Sequence, residues 1–132
     1  MIKSTVYPKA SSLSAVIISL ALLAPLAAHA HAVVTEHSLK THPVQPHHAT
    51  EVQLMFNSGV ELALSRVFLV SKGDVYLPVD MSKGKKQGEV IIHLPPLEPG
   101  DYAIKYKVFA ADGHFTENAL RFSVGSQSHS PR

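Results

Sequence analysis

From residue 50 onward, apolar and polar residues alternate with a period of two, in short runs that Pro and Gly interrupt. This pattern is compatible with β-strands and with little else. Val52, Leu54 and Phe56 share one face of a strand, with Glu51, Gln53 and Met55 on the other. Val67 and Leu69, with Ser65 in phase, alternate with Arg66, Phe68 and Val70, which makes a strand apolar on both faces. A short strand over 74–77 follows the Lys72-Gly73-Asp74 turn, and the Lys- and Gly-rich segment 81–88 reads as a loop. Residues 89–94 are a strand that Pro95 and Pro96 stop. Beyond the turn Leu97-Glu98-Pro99-Gly100-Asp101, Tyr102, Ile104, Tyr106 and Val108 face one way and Ala103, Lys105 and Lys107 the other. Residues 119–124 form a last strand with Leu120, Phe122 and Val124 on one face, and 31–35 can supply a first. About seven short strands, and no helix-period segment after residue 30, predict an all-β chain. The natural closure is a Greek-key, Ig-like antiparallel β-sandwich; a small barrel is the alternative the pattern leaves open.

Residues 1–30 read as an export signal that is cleaved. Lys3 and Lys9 form a positive start, 15–23 is apolar but for Ser19, and Ala28-His29-Ala30 is an A-x-A cleavage pattern. A membrane anchor fits less well, because the apolar stretch falls short of the ~20 residues a spanning helix needs. Cleavage after Ala30 leaves a domain over 31–125 and a polar tail over 126–132, in the periplasm, with His31 as the new N-terminus. Lys3 and Lys9 account for the whole formal charge of +2, so residues 31–132 carry none. That balance, with no basic stripe, argues against nucleic acid as a partner. The chain has no Cys, so its core holds without disulfides and any metal site uses nitrogen and oxygen donors, with Met as the only sulfur.

Nine of the 132 residues are His, and the chemistry concentrates at two places. As a free N-terminus, His31 offers an α-amine and an imidazole Nδ1 that close one chelate ring on a metal. The second place is Asp112-Gly113-His114, where residues two apart in an extended segment point to the same side. Together they present three nitrogens and one oxygen, a set suited to tetragonal Cu(II), one ion per chain. Taken alone, Asp112-Gly113-His114 also reads as a solvated turn in which Asp112 caps its own backbone.

Several segments carry a resemblance to a known family: His31-Ala32, Leu54-Met55-Phe56-Asn57, Val60-Glu61, 94–102 (Leu-Pro-Pro-Leu-Glu-Pro-Gly-Asp-Tyr), Val108 to His114, and Phe122-Ser123-Val124. With these the chain resembles the CopC family of periplasmic copper-binding proteins. The resemblance implies a Greek-key β-sandwich, Cu(II) ligands at His31, Asp112 and His114, no enzymatic activity, and a CopD-like inner-membrane partner for copper resistance or homeostasis. This chain departs from the family pattern at Phe115, where Pro is frequent, at Tyr106, where Trp is usual, and at Ser58, where Glu is common. After cleavage only Met55 and Met81 remain, too few for a Cu(I) thioether site.

The other histidines weigh less. His37, His42, His47 and His48, mixed with Pro43 and Pro46, read as a solvated loop or as a looser metal-collecting patch. His93 reads as a strand surface residue and His129 as part of the tail. A second class of function also uses an N-terminal His: the copper enzymes that cleave polysaccharides oxidatively. A chain this small leaves little surface for a polymer, and Asp112 as a fourth ligand would occupy the position oxygen needs.

Overall fold

The computed structural model describes residues 3–5 and 31–125; the rest of the expected export signal and the tail lie outside the described residues. Eight strands form two four-stranded antiparallel sheets packed face to face: β1 (Val34–His37), β2 (Thr50–Phe56), β3 (Arg66–Ser71), β4 (Val75–Pro78), β5 (Asp80–Lys83), β6 (Glu89–Leu94), β7 (Gly100–Phe109) and β8 (Phe115–Val124). One sheet has the order β1-β2-β6-β5 and the other β4-β3-β7-β8. This is the expected all-β sandwich. Its core joins inward positions that the alternation marked, Val52, Leu54 and Phe56 from β2, Val67 and Leu69 from β3, and Ile104, Tyr106 and Val108 from β7, to Val90, Ile92 and Leu94 from β6, whose inward face the structure assigns. Tyr106 stands edge-on to Phe56, with ring centroids 5.6 Å apart, and burial pushes its phenol pKa upward.

Three boundaries differ from the sequence reading. The last strand, β8, begins at Phe115 rather than at residue 119, because its ladder with β7 extends to Phe109↔Phe115. The segment read as a loop from residue 81 begins with a strand, β5, which pairs with β6 from Asp80↔His93 to Lys83↔Val90. Only Met81 in β5 is apolar, so local composition gives no strand signal. Pairing to the exposed edge of β6 decides the matter. Val79 alone separates β4 from β5, so the chain steps from one sheet to the other within a single residue. The first strand runs over 34–37 rather than 31–35, and its register shifts between Val34 and Glu36. Residues 31–33 do another job, described below.

Two local devices hold the ends of β7. Before it, Tyr102 Oη donates a 2.8 Å hydrogen bond back to the Glu98 carbonyl, which closes the Pro99-Gly100 corner, and the Tyr102 ring stacks on Phe122 at 5.7 Å. This is a tyrosine corner of the kind found in Ig-like sandwiches. After it, the Ser65 hydroxyl, 1% exposed, donates to the Glu61 carbonyl at 2.8 Å and accepts the Phe109 N–H at 3.0 Å. Ser65→Ala should therefore lower unfolding stability by about 2 kcal/mol, because it strands a buried backbone donor; denaturant titration measures the loss, and a change within error would show that water takes over the bond.

Candidate metal centre

The β7–β8 hairpin turns through residues 110–114. Ala110 N–H donates to the His114 carbonyl at 2.9 Å and Gly113 N–H to the Ala110 carbonyl at 3.0 Å. Gly113 has φ +89°, a left-handed backbone that favours glycine, so the tight turn depends on it. The loop is anchored from outside by Ala111 N–H on the Gly59 carbonyl at 3.0 Å and by an isolated bridge between Val60 and Ala110. Within the turn, Asp112 Oδ1 accepts the His114 backbone N–H at 3.0 Å, and Asp112 Oδ2 lies 3.4 Å from His114 Nδ1. The backbone hydrogen bond from His114 is the main cause that holds the Asp112 carboxyl below the usual carboxylate range. The His114 side-chain hydrogen bond and the charges of His114 and His31 act the same way, and partial desolvation opposes them.

His31 reaches this turn from the other end of the chain. Ala32 is fully buried, and Val33 is clamped on both sides by Asn57: its N–H donates to Asn57 Oδ1 at 2.9 Å, and its carbonyl accepts the Asn57 N–H at 3.0 Å. With Ala32 plugged into the core, the exposed His31 ring packs edge-on against the ring of His114, with centroids 5.9 Å apart. The structure thus brings His31, Asp112 and His114 to one corner. Asn57 and Ser65 are positioning residues that the sequence pattern did not single out as such, since an Asn after a strand and a Ser before one look like ordinary turn residues.

The corner supplies two imidazoles and one carboxylate, donors that suit a borderline divalent metal. As they stand, no three His, Asp or Glu side chains among the described residues converge on one point. Here Asp112 leans on His114, so binding would exchange that contact for the metal.

Four of the other histidines, His42, His47, His48 and His93, are each engaged by a different neighbour. His42 Nδ1 meets Thr41 Oγ1 at 3.0 Å, His47 Nδ1 lies 3.4 Å from Glu98 Oε1, and His48 Nδ1 meets the Pro46 carbonyl at 2.9 Å. His37 ends β1 with its Nδ1 buried and unbonded. His93 faces outward from β6, bridging Ser82 Oγ at 2.8 Å and Glu51 Oε1 at 3.5 Å, as a surface strand residue. His129 lies outside the described residues.

Fold and corner together define a small antiparallel sandwich with an exposed His/Asp cluster where its N-terminal segment meets the β7–β8 turn. The sequence model of the CopC domain matches residues 34–125, and the chain belongs to the CopC family. CopC from Methylosinus trichosporium OB3b is 26% identical, with a TM-score of 0.57 over 71% of this chain and 93% of that one. PcoC, a methionine-rich copper resistance protein from Escherichia coli, has the same fold, with a TM-score of 0.53 at 19% identity over 73% of this chain and all of that one. A comparison with curated proteins finds no match. No helix among the described residues is long and apolar enough to cross a membrane.

Proposed function

We propose that this protein is an exported, non-catalytic Cu(II) carrier of copper resistance or homeostasis. It binds one Cu(II) per chain through His31, Asp112 and His114 and passes it to a CopD-like protein of the inner membrane. The observation that carries the reading is the meeting of the His31 and His114 rings at 5.9 Å with Asp112 3.4 Å from His114, on a chain of the CopC family. Removal of residues 1–30 would free the His31 amine as a fourth donor. Three nitrogens and one oxygen favour Cu(II), which also stands at the top of the divalent affinity order. The two methionines of the domain support the same oxidation state. Met55 is on the outward face of β2 and Met81, paired with the buried Ile92, is on the inward face of β5, so they cannot share a thioether site.

The test is a Cu(II) titration of the chain beginning at His31, followed by anaerobic reduction with ascorbate in the presence of a modest Cu(I) chelator. The expected result is one tightly bound equivalent, all of it released on reduction. Retention of the reduced metal would contradict the ligand set. Oxygen consumption with ascorbate above the free-copper control would favour the polysaccharide-active enzyme instead.

A further inference from the structure

Charge is divided between the two outer faces of the sandwich. On the β4-β3-β7-β8 sheet, the outward strand positions carry Arg66, Lys105, Lys107 and Arg121 against two acids, Asp101, which accepts the Ser123 hydroxyl at 2.6 Å, and Glu117. On the other sheet the outward strand positions carry Glu36, Glu51, Asp80 and Glu89, with Lys40 and Lys86 beside Glu36 and Glu89 at one end of the face. Residues 31–132 have no net formal charge, so the excess of cations on the first face is balanced elsewhere on the molecule.

The basic face is also aromatic. Tyr76 and Phe115 are 49% and 52% exposed. Lys105 Nζ sits 5.5 Å from the Tyr76 ring centroid and pairs with Glu117 at 3.1 Å, while Lys107 Nζ sits 4.9 Å from that of Phe115. Exposed aromatic rings and arginine, here Tyr76, Phe115, Arg66 and Arg121, are the residue types enriched at interfaces, and the two lysines add cation–π contacts to the rings. The face runs up to the metal corner: Phe115 follows His114 directly, and the Phe109–Phe115 pair, 4.8 Å between centroids, closes the hairpin that carries Asp112 and His114.

We infer that this face is where the chain docks on the membrane protein that exchanges copper with it, and that the partner meets it with an acidic surface. The inference rests on the carrier reading above. Charge complementarity sets the sign of the partner's surface. A protein is favoured over lipid because the face abuts the corner of His31 and His114, where a partner that takes the metal must bring ligands of its own. A partner seated there reaches His114 at the rim.

The experiment uses the copper-loaded chain with three membranes: right-side-out inner-membrane vesicles containing the CopD-like protein, the same vesicles lacking it, and protein-free phosphatidylglycerol/phosphatidylethanolamine vesicles. Retention and copper transfer are measured together with Cu(II) affinity. Lys107→Glu combined with Arg121→Glu should cut retention and transfer by about tenfold at low salt, with Cu(II) affinity unchanged. Arg66→Gln with Lys107→Gln, which adds no repulsion opposite Glu117, should act in the same direction and by less. Glu51→Lys with Asp80→Lys, on the other face, should cost nothing. Transfer unchanged by the first two pairs overturns the docking face and leaves the carrier reading intact. Equal retention on protein-free vesicles assigns the face to lipid and also overturns it. Failure of the unaltered chain to deliver bound copper to any membrane overturns the carrier reading, and the docking face with it.

Discussion

One glycine added ahead of His31 should lower the Cu(II) affinity of the processed chain by more than about a hundredfold, since even changes outside the first ligand shell reach that size. The extra residue converts the α-amine into an amide, a poor ligand until it is deprotonated. The chain has no means of absorbing the insertion by sliding. Ala32 is fully buried, so a shift of one residue would force His31 into its place, and overpacking of that kind costs about 1–3 kcal/mol. The same shift would pass the two backbone hydrogen bonds with Asn57 from Val33 to Ala32 and so draw the Ala32 methyl out of the core. The added glycine must therefore project into solvent and leave the imidazole of His31 where it is. Competitive Cu(II) titration of the two chains measures the difference, and equal affinities would remove the amine from the ligand set.

Proton competition supplies a second signature of the same site. An unperturbed α-amine titrates at about 7.7–8.0, so the affinity of the processed chain should rise as pH climbs toward 8 and copper no longer has to displace that proton. Asp112 adds nothing to this slope. Its pKa is held below the ordinary carboxylate value, so its charge, and whatever stability its contacts confer, are present throughout the neutral range and lost only as pH falls through the lowered pKa. The glycine-extended chain regains a nitrogen ligand only where its amide deprotonates, so its affinity should stay below that of the processed chain throughout pH 6.5 to 8.

His114→Ala should also cost about a hundredfold or more in Cu(II) affinity, and Asp112→Ala about tenfold, because the first removes a nitrogen from a metal that favours nitrogen while the second removes charge. His47→Ala with His48→Ala should change affinity by less than about twofold. The structure gives the reason: His47 is engaged with Glu98 and His48 with the Pro46 carbonyl, in a loop apart from the His31–His114 pair. Asp112→Asn separates two roles, since its amide oxygen can still accept the His114 N–H that shapes the turn while the charge is gone. Titration of these variants at two pH values decides the assignment. A larger loss in the His47/His48 pair than in His114→Ala would place the metal in the N-terminal loop and leave Asp112-Gly113-His114 as a turn.

By itself, the sequence determined the class of fold, the inward set of side chains and the identity of the corner residues. Val52-Leu54-Phe56 and Ile104-Tyr106-Val108 are legible because a strand with one buried face must alternate, and a one-residue slip would turn the whole set to water. The Pro99-Gly100 turn and Tyr102 were equally visible, although the bond from Tyr102 to Glu98 that makes them a unit was not. Tertiary structure alone decided β5, because a strand with one apolar residue forms only when the edge of β6 is there to receive it. It alone decided how the N-terminal segment is spent. Residues 31–33 looked like the start of a strand, and instead Ala32 plugs the core and Asn57 clips Val33, which sets His31 beside His114. The meeting of His31 with Asp112 and His114, more than eighty positions apart, has no local signal, since its distances are fixed by how the two sheets pack and by no single segment of the chain.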